Sequence, residues 1–151
     1  MQMFERGARG AIMAMTIANE EAKRLRHLYI GTEHILIGLV DVIAVGDAPV
    51  LGQVLKNLNI DPSSLVPAVE RLIKVGPEIV TMRQLPQTPR AEKVIEYAIE
   101  ESVELKHKYL DPEHLLLGLL REQDGVAAQV LMNLGLRLED VRDEIQKARG
   151  R

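Results

Sequence analysis

Residues 20–39 read EEAKRLRHLYIGTEHILIGL, and residues 100–119 read EESVELKHKYLDPEHLLLGL. Ten of these twenty positions are identical at a constant offset of eighty. The match resumes as QVLKNLNI (53–60) against QVLMNLGL (129–136), now at an offset of seventy-six, so the first copy carries four extra residues within 41–52. Internal repetition sets the architecture before any single motif does. Two copies of one unit fill a single domain over 1–151: repeat one at about 4–74, a connector at 75–87, and repeat two at about 88–148.

The period inside each copy is helical. Ala11, Met15, Ala18, Ala22 and Leu25 step by 4, 3, 4 and 3, and Ala91, Ile95, Ala98, Ser102 and Leu105 follow eighty residues later. That is the buried stripe of an amphipathic helix. A second helix starts near Thr32 and near Asp111, where Asp111-Pro112-Glu113 combines an N-cap acceptor, a proline at the first helical position and an acid near the positive end of the dipole. Short third helices are expected over 50–58 and 126–134, stopped by Asn59 and Gly135. Fourth helices are expected over 62–74 and 138–148. The connector, with Gly76, Pro77 and Pro86, lacks a sustained period and reads as an ordered link. The expected fold is all-α: two four-helix repeats forming an eight-helix domain with an approximate two-fold axis.

Composition agrees with helix-on-helix packing. Hydrophobic residues make up 46% of the chain and aromatics 3%, so aliphatic side chains and Met must fill the core. A net charge of −3 argues against a nucleic-acid binder, and the absence of cysteine removes disulfide and thiolate chemistry. No apolar run approaches the ~20 residues that cross a bilayer, and the start MQMFERGARG lacks the apolar core of a secretory signal. A cytoplasmic protein without a membrane partner is expected.

YIGTEHILIGL (29–39) and YLDPEHLLLGL (109–119), with MFER (3–6), TPRAEKVIEYA (88–98) and LLREQDGVAAQVLMNLG (119–135), resemble the paired signatures of the Clp ATPase N-terminal domain, the ClpC type above all. In that family the domain precedes ATPase rings that unfold proteins for a partner protease. The resemblance implies a noncatalytic module that docks adaptor proteins and protein substrates, with a Clp ATPase ring as partner if it lies in the same polypeptide. The alternative is a free-standing Clp-repeat regulator that binds partner proteins without an attached motor. No G-x-x-x-x-G-K-[ST] phosphate loop occurs in the chain, so it is not expected to be an ATPase, and no cofactor is implied.

Some ClpC-type domains bind phosphoarginine at two equivalent pockets. There a glutamate meets the guanidinium, and a threonine early in the unit's first helix assists. By that resemblance Glu33 and Glu113 match the glutamates, and Thr88 matches the threonine of the second unit, while Ala8 stands in the first. The family's aromatic residue before the threonine is Gly7 in one copy and Gln87 in the other, and its Arg-Glu-Gly-Glu-Gly-type loop is replaced over 41–49. The resemblance therefore favours a second pocket, Glu113 with Thr88, over the first.

Each of these residues has a plainer reading. First-turn acids such as Glu33 and Glu113 stabilise a helix dipole by about 0.3–1 kcal/mol without any ligand. Thr88, as the cap of a helix opened by Pro89, contributes roughly 1 kcal/mol by itself. Arg90 and Lys93 read as a solvated face, with attraction of an acidic partner as the alternative. The four histidines form two pairs, His27/His34 and His107/His114. Their spacing of seven lacks the i, i+4 geometry of a helical zinc site, so the reading is structural imidazoles bonded across a helix joint, not metal ligands or a hydrolase centre.

Overall fold

A computed structural model describes residues 8–150; the MFER segment, Gly7 and Arg151 lie outside the described residues. The first unit comprises α1 (Arg9–Arg24), α2 (Thr32–Ala44), α3 (Pro49–Asn57) and α4 (Leu65–Glu70), with a 3-10 turn at Pro62–Ser64 leading into α4. The second comprises α5 (Pro89–Glu104), α6 (Pro112–Glu122), α7 (Val126–Asn133) and α8 (Leu138–Ala148). The described residues contain no strand, only an isolated parallel bridge between Ile30 and Gln87. No single helix among them is long and apolar enough to cross a membrane.

In each unit the first two helices form an antiparallel hairpin, as a short link between helices favours. Arg90 at the start of α5 pairs with Glu122 at the end of α6 at 3.3 Å. The closest approach is allowed by glycine: a Cβ at Gly38 would run into the Ala14 carbonyl, and one at Gly118 into the Val94 carbonyl. These two contacts are the same contact eighty residues apart.

The units then pack reciprocally. The third helix of each lies on the fourth of the other, so α3 meets α8 and α4 meets α7. Likewise α1 packs on α6 and α5 on α2, while α2 and α6 meet across the middle. Such exchange of equivalent contacts is what a two-fold relation produces. One aliphatic core results, including Ile35, Leu36, Leu39, Leu115, Leu116 and Leu119, each at most 1% exposed.

Helix ends follow the local rules with three additions, one of them Gln123 (φ 73°) at the end of α6. Asn59 (φ 61°) and Gly135 (φ 86°) are left-handed stops, as their residue types suggest. Arg26 and Lys106 also take positive φ, at 60° and 61°. They close α1 and α5 with the wider bond of a Schellman-type end, His27 N–H to Ala22 O and His107 N–H to Ser102 O.

The fourth helix of the first unit differs from the expected 62–74 span. It begins as the 3-10 turn and ends at Glu70. The chain beyond is captured by the first hairpin instead: His27 Nε2 bonds Lys74 O at 2.6 Å, and Gly76 N–H donates to Leu25 O at 2.8 Å. Those bonds draw residues 74–76 off the helical path.

Candidate functional site

The connector decides what meets what. Buried Asn19 on α1 holds it from both sides, donating to Arg83 O at 3.0 Å and accepting from Leu85 N–H at 2.9 Å. Leu85 is buried beside it. The chain then runs along residue 30: Ile30 N–H donates to Pro86 O at 2.8 Å, and Thr88 N–H donates to Ile30 O at 2.9 Å. Thr88 is thereby delivered beside Gly31-Thr32-Glu33, the start of α2.

The result is a cleft walled by Gly31, Thr32, Glu33, Thr88, Pro89, Arg90, Gly125 and Val126. Three helix starts meet in it: α2, α5 and α7. Capping bonds occupy some of their amides. Thr88 Oγ1 accepts from Ala91 N–H at 3.1 Å, Thr32 Oγ1 from Ala127 N–H at 3.4 Å, and Glu122 Oε1 from Gly125 N–H at 2.7 Å. Thr32, Glu33, Arg90 and Val126 also lie in first turns, where no intrahelical carbonyl is available to their N–H groups. Three positive dipole ends favour an anion, the Arg90 guanidinium is already paired with the Glu122 carboxylate, and Glu33 supplies a second carboxylate at the rim. The cleft continues into a groove along Leu28, Tyr29, Leu72 and Ile73.

Thr88 therefore meets Glu33, and the expected pairing of Thr88 with Glu113 is corrected. The hairpin gives the reason. Thr88 and Glu113 start antiparallel neighbours, and a helix of 16 residues separates their ends by about 24 Å. A glutamate in one unit can reach only the first-helix start of the other.

Glu113 lies at the equivalent place in the second unit. There Ala8 takes the position of Thr88, with Ala8 N–H donating to Leu110 O at 2.9 Å. Glu113 is 2% exposed, and its carboxylate is met by the chain itself: Arg149 Nη1 donates to Glu113 Oε2 at 2.8 Å and to Asp111 Oδ2 at 2.9 Å. Burial pushes the Glu113 carboxyl above its usual range, with Asp111 acting in the same sense, and Arg149 offsets only part of that.

The histidine pairs form ordered relays. Gly31 N–H donates to His34 Nδ1 at 2.8 Å, so His34 Nε2 carries the proton and donates to His27 Nδ1 at 2.7 Å. His27 Nε2–H then donates to Lys74 O. In the second unit Asp111 N–H donates to His114 Nδ1, and His114 Nε2 bonds His107 Nδ1, both at 2.8 Å. His27, Glu33 and His34 lie close enough together to suggest an ion site. As bonded, neither ring of that pair presents a lone pair to a metal.

An all-α double repeat whose helices pack reciprocally between its two halves defines the class of fold. The family model for the Clp repeat (R) N-terminal domain matches residues 8–103 and again 86–151, and the chain belongs to that family. It is similar to the ClpA homologue of Porphyra purpurea, an ATP-binding subunit of the ATP-dependent Clp protease, at 43% identity over 95% of this chain and 17% of that protein. The chain thus spans about a sixth of the length of such curated relatives. Among solved structures, the N-terminal domain of the Clp-associated chaperone ClpD from Arabidopsis thaliana superposes with a TM-score of 0.70 at 26% identity, covering 97% of this chain and 96% of that one. The ClpV N-domain in complex with a VipB peptide shares the fold at a TM-score of 0.74 and 17% identity, covering 97% of this chain and 88% of that one.

Proposed function

We propose that the chain is a noncatalytic docking module for adaptors and substrates of a Clp-type ATP-dependent unfoldase or protease system, and that the Glu33/Thr88 cleft receives a phosphoarginine side chain on marked proteins. The observation that carries this reading is the pairing of opposite poles in one cleft. Helix starts around Thr32, Arg90 and Val126 suit a phosphoryl group, and the Glu33 carboxylate suits the planar donors of a guanidinium. Phosphoarginine joins those two groups through one P–N bond, so a single residue spans both poles. The neighbouring groove, with Leu28 and Tyr29 exposed, suits the flanking peptide. The division into repeats at about 4–74 and 88–148 about a connector at 75–87 belongs to the same reading.

Calorimetric titration with free phosphoarginine tests it. Glu33→Ala and Thr88→Ala are each expected to weaken binding about tenfold or more, the worth of a lost hydrogen bond to a charged group. Glu113→Ala is expected to change it little. A larger loss from Glu113→Ala than from Glu33→Ala would overturn the assignment of the cleft. The chain is expected to show no ATP turnover of its own.

A further inference from the structure

We propose that Arg149 is a built-in ligand of the second site: the end of α8 places in the Asp111/Glu113 cradle the same guanidinium group that the first site takes from a partner, and an arginine-bearing ligand reaches the cradle only when Arg149 leaves. The inference rests on the reading of the Glu33 cleft as an arginine-recognising site, and carries it to the other half of the molecule.

Glu33 and Glu113 are the same residue of the repeat, eighty positions apart. The first lines an open cleft, and among the described residues no cation pairs with it. The second is covered by Arg149, whose single Nη1 bridges Glu113 and Asp111 at 2.8 and 2.9 Å. Glu113 is almost wholly buried, yet the Arg149 side chain is 25% exposed, so the arginine is held at the surface of the cradle with a route to solvent. The repeat register explains the asymmetry. Buried Leu65 and Val69 correspond to buried Val141 and Ile145 at an offset of seventy-six, and the same offset sets Arg149 against Ile73. Ile73 lines the groove next to Glu33, where it has no charge to offer. The partner of the glutamate is therefore supplied in cis in one unit and left to a ligand in the other.

Arg149 is held at the end of a helix. It follows the last residue of α8, with its N–H on Ile145 O at 3.0 Å, and Gly150 then turns away at φ +81°. A last helical turn opens at far lower cost than a buried one. Its fraying removes the guanidinium from the cradle without disturbing Val141 or Ile145. A charged carboxylate left buried and unpaired is costly, so the vacated cradle favours a replacement cation.

The test is a residue-resolved NMR titration of the whole chain with phosphoarginine at pH 8, comparing wild type, Arg149→Ala and Arg149→Ala/Glu113→Gln. In wild type, shifts are expected at Gly31, Glu33 and Thr88 and not at Ala8, Asp111 or Glu113. Arg149→Ala is expected to add the second set, with apparent affinity there raised about tenfold or more, and the double variant to lose it again. Unchanged signals from Leu39 and Leu119 check that each variant is folded. If the second set is absent from Arg149→Ala, or titrates in wild type as readily as in the variant, the proposal is overturned while shifts at Glu33 and Thr88 stand. Loss of the first set alone in every variant would overturn the first-site reading instead.

Discussion

At the scale of single residues, the histidine relay fixes a proton inventory that pH can disturb. Burial, with neighbouring His27 acting in the same sense, lowers the His34 pKa from 6.5 to about 4. The unfolded chain then binds a proton that the folded one excludes, so this contribution to stability is present above pH 6.5 and is lost as pH falls toward 4. The loss amounts to about 3 kcal/mol across that window. Urea denaturation at intervals of pH checks the sum, and the His34 ring resonances should titrate near pH 4 rather than 6.5. Glu101 acts in the same direction at lower pH. Burial raises its carboxyl, but Arg142 at 2.7 Å and Arg121 at 3.1 Å outweigh that and hold it below the usual range. Glu113, with its raised carboxyl, acts oppositely, so site-resolved titration is needed to separate the three.

Element ends and crossings were legible to different degrees. The cap of α5 was readable, since Thr88-Pro89 has the residue types a helix start needs, and Thr88 Oγ1 does bond Ala91 N–H. The matching position at α1 is Ala8, whose backbone is equally extended (φ −75°, ψ 162°) but which makes no side-chain cap bond. Ala8→Thr is therefore expected to stabilise the fold by about 1 kcal/mol and Thr88→Ala to destabilise it by a similar amount. Thermal unfolding of both variants reads this. At the hairpin crossings the backbones touch, and Gly38→Ala or Gly118→Ala must push α1 from α2 or α5 from α6. A loss of about 1–3 kcal/mol is expected for each, as for other overpacked sites. A neutral result in denaturant titration would mean that the crossing yields more easily than this contact implies. The path of the chain past α4 was not legible, because the bonds that hold Lys74 and Gly76 come from His27 and Leu25, far away in sequence.

For the molecule as a whole, the exchanged packing makes the halves interdependent. Helices α7 and α8 bury their apolar faces against α4 and α3 of the other unit, so neither unit encloses a core alone. Residues 88–151 by themselves are expected to lack a cooperative thermal transition by circular dichroism. A sharp melt with full helicity would contradict the interlocked core. Leu39→Ala and Leu119→Ala, at 1% and 0% exposure, should each cost about 2–5 kcal/mol in the intact chain.

The repeat, the helical period and the cap residues by themselves determined the double-repeat fold and the helix inventory in all but the extent of α4, because each depends on residue spacing within one unit, and the paired motifs carried the resemblance to the family. That resemblance, not the spacing, singled out Glu33, Glu113 and Thr88. Which glutamate lies beside Thr88 was decided only in three dimensions. Antiparallel hairpins put the two starts of one unit at opposite ends, and the Ile30–Gln87 bridge carries Thr88 across to Glu33. Arg149 escaped the sequence for the same reason: at a fraying basic helix end it reads as solvated, and only folding brings it onto Asp111 and Glu113. Local spacing encodes periodicity and caps, whereas the contents of a cleft depend on contacts between chain segments that no local pattern records.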